Sequence, residues 1–172
     1  MLKKTLQVLL IALAVGITTP TFAQSFNIAV LDAQEIINNS DAAKEAIKDI
    51  DKLRNQSQEM INEMEADLNK KREAYESKQS VLSEDKLMAE QSKLKSEVRT
   101  YQVQVQNMQE QISNQVMMHR KEIIEAMRKV VSDIAAEEGY DLVVEKNQLL
   151  YNNAGLDITD TVMEQVNARL AK

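Results

Sequence analysis

Between Gly16 and Gly139 this 172-residue chain contains no glycine, and its one proline is Pro20. Glycine and proline are the residues that most often end helices. About a hundred residues before Gly139 therefore read as helix with hardly a turn signal. Aromatic residues make up 3% of the chain, and there is no tryptophan. Few large side chains and few breakers suit long helices better than a thick globular core.

Two apolar stripes carry the architecture. In the first helix Ala46, Ile50, Leu53, Ser57, Met60, Met64, Leu68, Lys71 and Tyr75 are spaced by threes and fours. In the second, Leu87, Gln91, Leu94, Val98, Tyr101, Val105, Met108 and Ile112 repeat the pattern. This is the seam of a coiled coil. Between the stripes lies Ser80-Val-Leu-Ser-Glu-Asp85. Ser83 can cap the second helix, and Glu84 with Asp85 suit its positive N-terminal end.

Folding the chain back near Leu82 puts Met64 opposite Tyr101, Met60 opposite Val105 and Leu53 opposite Ile112. The same register sets Ser57 against Met108 and Lys71 against Leu94. One register thus satisfies a whole antiparallel hairpin, about 60 Å long for some forty residues a side. Beyond Ile112 the stripe continues as Val116, Ile123, Met127, Val130 and Ile134, with a four-four step at Met108, Ile112 and Val116. Such a stutter locally unwinds a supercoil. It marks either entry into a thicker body or a neutral irregularity.

The outer faces of this arm are not purely polar. Val81, Leu82, Met88, Val103, Met117 and Met118 lie off the seam. They are the candidates for partner contact, because flexible Met side chains adapt to varied surfaces. Met60, Met64 and Met108 read as core filler. For Met88, Met117 and Met118 both readings stand.

The two ends of the chain read differently from the arm. Phe26 to Leu31 is a short strand. Asp32, with Glu35 three residues on, has capping-box spacing and opens a short helix to about Asn38. Ser40 and Asp41 start the first long helix. Gly139 closes the second as a glycine C-cap should. Tyr140 to Glu145 and Leu149 to Asn152 read as a β-hairpin around Lys146-Asn147-Gln148. Thr159 is expected to cap a last helix through Leu170, with Ile158 and Met163 at the staple positions.

The fold class expected is α+β: a small β-sheet or barrel body with a long antiparallel helical arm. Residues 24–41 and 132–172 form the body, and 42–131 the arm, with its tip near 80–85. Three short strands and a small helix bury little apolar surface. Ile28, Val30, Leu142, Val143, Val144, Leu149 and Leu150 need a cover, and the simplest is the same sheet from other copies. The body is thus expected to be an oligomerisation module.

Residues 1–23 look like a secretory signal peptide. Lys3 and Lys4 precede an apolar run from Leu6 to Ile17, shorter than the ~20 residues that span a bilayer, and Thr21-Phe22-Ala23 resembles a small-x-small cleavage site. The alternative is an uncleaved anchor. Cleavage before Gln24 would take two lysines and move the net charge from −6 to −8. There is no cysteine, so an exported chain must be stabilised by packing or assembly, not by disulfides.

Charge and motif content narrow the function. An acidic chain argues against nucleic acid as a partner, since phosphate contacts need clustered Lys and Arg. Residues 42–131 carry 16 basic and 16 acidic side chains, whereas the rest of the exported chain has 3 basic against 11 acidic. Only the distal arm is mildly basic, through Lys70, Lys71, Arg72, Lys78, Lys86, Lys93, Lys95 and Arg99. Any membrane-surface contact is expected at those tips; a merely solvated helix face is the alternative. His119 is the sole histidine and falls opposite Ala46 in the arm register. With no cysteine, phosphate loop or metal-ligand spacing, the chain reads as neither an enzyme nor a cofactor binder.

The order of elements resembles the Skp (OmpH-like) family of periplasmic chaperones. The resemblance rests on the leading strand Ile28-Ala-Val-Leu-Asp32, the long helical hairpin, Tyr140-Asp-Leu-Val-Val-Glu145, Leu149-Leu-Tyr-Asn152 and Asp157-Ile-Thr159 before a closing helix. It implies a homotrimer in which a small β-barrel body joins three subunits and their arms enclose a cavity. It implies an ATP-independent holdase that keeps unfolded outer-membrane β-barrel proteins soluble before membrane insertion. Well-known members are basic, and this chain departs from them in charge, so no lipopolysaccharide site is carried over. The rival reading is an envelope coiled coil that tethers or spaces partners and holds no clients.

Overall fold

The computed structural model describes residues 26–171; the expected signal peptide lies outside them. In chain order the elements are β1 (Ile28–Leu31), α1 (Ala33–Asn39), α2 (Asp41–Lys78), α3 (Glu84–Glu138), β2 (Leu142–Glu145), the 3-10 turns Lys146–Gln148 and Ala154–Leu156, and α4 (Thr159–Leu170). The α+β class holds: two long antiparallel helices spring from a small mixed body.

Local chemistry sets most of the boundaries. The Asp32 carboxylate accepts a 2.8 Å hydrogen bond from the Glu35 N–H, capping α1. The Ser40 hydroxyl accepts from the Ala43 N–H at 3.2 Å. Because Ser40 is fully buried, α1 passes into α2 through one fixed residue. Gly139 ends α3 with φ at 69°, in the left-handed region where any side chain is strained. Ser83 stands at the start of α3, but its hydroxyl makes no capping bond. The first-turn acids Glu84 and Asp85 are left to complement the helix dipole.

The strands correct the sequence reading. There is no β-hairpin after Gly139. β2 pairs with β1 instead, in parallel, with Ile28 opposite Leu142 and Leu31 opposite Glu145. Lys146–Gln148, read as a hairpin turn, is a 3-10 turn, and Leu149 to Asn152 is not a strand within this chain. The Leu149 N–H donates back to the Lys146 carbonyl at 3.1 Å, closing the turn and not a strand ladder. On its other side β1 is met by the start of α4: Val30 bridges Asp157, and the Ile158 N–H donates to the Val30 carbonyl at 2.9 Å.

Thr159 does not cap α4 either. It is buried in the first turn of that helix. Its hydroxyl accepts from the Asp32 N–H at 2.9 Å and donates to the Asp157 carboxylate. The Asp157 side chain also accepts from the Thr159 N–H at 3.0 Å. One hydroxyl thereby ties the end of β1 to the beginning of α4.

The core lies where these elements meet. Ala29 and Leu31 of β1, Ile36 of α1, Ala43 of α2, Val130 and Ile134 of α3, and Val162 and Val166 of α4 are all buried in it. Ile123, Ala126 and Met127 extend it along α3.

Candidate functional site: the helical arm

Outside that core α2 and α3 have only each other. Half-buried Leu53, Ile61, Met64, Leu68 and Tyr75 of α2 face Leu87, Leu94, Val98, Tyr101, Val105, Met108 and Ile112 of α3. The expected seam is right in outline and slips in places. Met60 is exposed at 46% and Ile61 takes its position. Gln91 is exposed. Val116 is exposed too, and Gln115 and His119 are turned inward instead. The four-four step thus falls at Gln115, His119 and Ile123, about two turns nearer the body than the sequence placed it.

Polar contacts reinforce the thin seam. Tyr101 donates its hydroxyl to Glu65 at 2.5 Å. Lys71 reaches Asp67 at 2.7 Å on its own helix and Glu97 at 3.1 Å across the seam. Lys78 meets Glu90 at 3.5 Å. Hydrogen bonds from Lys71 to Asp67 and then to Glu97 hold its ammonium above the ordinary lysine value. The bond to Glu65 likewise raises the Tyr101 phenol. Two of the eight basic residues of the distal arm are therefore engaged with carboxylates, and the positive character of the tip is lower than their number implies. A shallow groove of about 350 Å³ near the tip is lined by Arg72, Tyr75, Leu94, Lys95 and Val98, among others.

The off-seam apolar residues stand in solvent. Val81 is 76% exposed, Met88 61% and Val103 50%; Met117 and Met118 are exposed as well, and Leu82 is half-buried at the tip. A feature the seam reading passed over is the distribution of charge along α3. From Thr100 to His119 it carries one charge, Glu110, among glutamines and asparagines. The opposing stretch of α2, residues 46–65, carries eight. The signal was present in the sequence as the run Gln102-Val-Gln-Val-Gln106.

In the body, Val30 is buried and Ile28, Val143, Val144 and Leu149 are half-buried. Leu142 is 47% exposed, and Leu150 with Tyr151 projects fully into solvent. The strand pair covers some of the residues expected to need a cover and leaves others open. Lys146 meets Asp157 at 2.8 Å. That hydrogen bond raises the lysine. Burial alone would raise the Asp157 carboxyl, but its bonds from Lys146 and Thr159 outweigh that and lower it. Among the described residues no helix is long and apolar enough to cross a membrane.

These features define an α+β protein that displays a long, thin helical hairpin from a small body. Residues 27–166 match the family model for outer membrane protein (OmpH-like), and the chain belongs to that family. The chaperone protein Skp of Photorhabdus laumondii is 23% identical over 140 residues, covering 81% of this chain and 84% of that one. Skp of Blochmanniella pennsylvanica is 40% identical over a shorter span of 48 residues, 27% of this chain and 29% of the relative. The crystal structure of an OmpH-like protein from Caulobacter crescentus superposes with a TM-score of 0.77 at 14% identity, over 84% of this chain and 86% of that one. At that identity the likeness is one of fold.

Proposed function

We propose that the chain is an ATP-independent periplasmic holdase that keeps unfolded outer-membrane β-barrel proteins from aggregating. The observation that carries this reading is the arm: a seam one stripe wide whose outer faces expose Val81, Met88, Val103, Met117 and Met118. A rigid spacer would need a cleaner seam and polar outer faces. Unfolded barrel strands alternate apolar and polar residues and aggregate readily. Many weak contacts from adaptable side chains suit such a client. Release needs no nucleotide, because a client more stable in the membrane leaves by mass action.

In this reading residues 24–41 and 132–172 form an oligomerisation body and 42–131 the arm, as the sequence suggested. Leu142, Leu150 and Tyr151 meet neighbouring copies, and three copies enclose the client. Export by residues 1–23 would deliver the chain to the periplasm. Distal lysines and arginines not engaged with carboxylates would meet a membrane surface.

The test is sedimentation velocity of the chain from Gln24, alone and mixed with a urea-denatured outer-membrane barrel protein, without nucleotide. A species of about three chain masses that takes up the client as a discrete soluble complex is expected. An oligomer that leaves the client to aggregate would instead support the tether, and a monomer would remove the role given to Leu150 and Tyr151.

A further inference from the structure

The two helices of the arm differ in what they show to solvent. Between Arg99 and Arg120 the only Asp, Glu, Lys or Arg of α3 is Glu110. At 1.5 Å per residue this weakly charged band is ~30 Å long. Val103, Gln106, Asn107, Glu110, Asn114 and Met117 recur at threes and fours, so they share the face turned away from the seam. All six are exposed. Residues 46–65 of α2, across the seam, carry eight charges.

The polar groups of the two helices are also differently occupied. On α2, Arg54 pairs with Asp51 at 3.3 Å, and Gln58 donates to Asn62 at 2.9 Å. On the α3 band the side-chain hydrogen bonds among the described residues come from Thr100, Tyr101 and Gln106. The last joins Gln106 to Glu110 at 3.1 Å and so engages the band's one charge. Gln102, Gln104, Gln109 and Gln111 flank the outer face and are exposed, with their amides open to a partner. A primary amide both donates and accepts. It can therefore bond either group of an unpaired peptide backbone, whatever side chain that backbone carries. A carboxylate only accepts and an ammonium only donates, and either costs more to cover.

We propose that α3, and not α2, is the client-facing side of the arm, and that this band holds an extended, uncharged stretch of unfolded chain through its backbone. The inference rests on the holdase reading and adds which surface acts and what it recognises. A membrane-spanning β-strand has about 9–11 residues. At 3.3 Å per residue, ten of them extend over ~33 Å, which matches the length of the band. The side chains of such a strand alternate apolar and polar. Its apolar positions can meet Val103 and Met117 while its open N–H and C=O groups meet the glutamines. Recognition of backbone is indifferent to sequence, so one band serves many different strands.

The test places benzoylphenylalanine, a photo-cross-linking side chain, at Val103 or Met117 on α3 and at Lys52 or Glu59 on α2, all exposed positions. The chain from Gln24 is mixed with a urea-denatured outer-membrane barrel protein, and cross-links are measured in the soluble complex. The α3 positions should give several times more client product than the α2 positions. The variant Q102E/Q104K/Q109E/Q111K gives α3 mixed charges like those of α2 without changing the net charge. It should bind the client about tenfold more weakly, the loss of one or two neutral hydrogen bonds. The cross-links decide the question by themselves if that variant does not fold. Wild-type binding should persist from about 0.1 to 1 M salt, over which screening shortens from about 10 to 3 Å. Client products as abundant from α2, products that join only copies of this chain, undiminished binding by the charged variant, or binding that collapses with salt would each overturn the inference and leave the holdase reading in place. A client that aggregates in the wild-type mixture removes both.

Discussion

Val162 in α4 and Leu94 in α3 both sit on the apolar stripe of an amphipathic helix, yet Val162 is wholly buried and Leu94 only half so. Around Val162, β1, α1, α2 and α3 all contribute to one cluster. Around Leu94 there is a single neighbouring helix. The same periodicity makes a core where several elements converge and a seam where two run side by side. Burial, and the stabilisation that follows it, depends on the number of neighbours and not on the stripe. The thin seam also leaves the outer faces of the arm free to touch something else.

The contrast can be tested by truncation. Val162→Ala or Ile36→Ala, at positions with no exposed surface, should cost about 2–4 kcal/mol in chemical denaturation. Leu94→Ala should cost about 1 kcal/mol and show itself as faster amide exchange confined to the distal arm. If both regions lost stability equally, arm and body would be one cooperative unit and the comparison would fail.

A smaller effect is expected at the joint between β1 and α4. Thr159→Val keeps the shape but leaves the Asp32 N–H without its acceptor, and should cost about 1–2 kcal/mol. Acid probes the same joint. The Asp157 carboxyl is held below its ordinary value, so its contribution is present above about pH 4, the usual aspartate range. That contribution fades as pH falls through the lowered folded value. Denaturation midpoints measured from pH 6 downward should show this loss in the wild type and a shallower one in Asp157→Asn.

The smallest change belongs to the arm. The Tyr101 phenol is raised by its bond to Glu65. By ultraviolet titration it should ionise above the ordinary tyrosine range, and Glu65→Gln should bring it down. A Tyr101 titration unmoved by that substitution would mean that the cross-seam bond is not formed in solution.

What could be read from the sequence was local. Asp32 with Glu35, Ser40, and Gly139 are each decided by neighbours within four residues, and each sits where its chemistry predicted. The arm was legible because two stripes had to agree on one register. Errors arose where a residue's partner lay far along the chain. Tyr140 to Asn152 has the alternation and turn residues of a hairpin, but the strand that pairs with Leu142 to Glu145 begins 114 residues earlier, at Ile28. Thr159 has the chemistry of a cap, and the half-buried N–H of Asp32 claimed its oxygen instead. Met60 and Val116 were placed one position out, because a helix with 3.6 residues per turn drifts against a strict seam.

The parallel pairing of β1 with β2 has a consequence for the order in which the molecule is made. β1 is synthesised early and its partner about a hundred residues later, so the first strand waits unpaired while the arm emerges. Bringing two such distant segments together from a random coil would be slow, since the entropy of a large loop must be lost before the contact forms. The arm shortens the wait. Its helices close on each other through the tight turn at Gln79 to Ser83, where the Lys78 carbonyl accepts from the N–H groups of Val81 and Leu82, and each further pair along the seam is local to the last. When that zipper reaches Ala43 and Ile123, only residues 32–42 and 124–141 still separate the two strands. The long hairpin is then the device by which the small body finds its own ends.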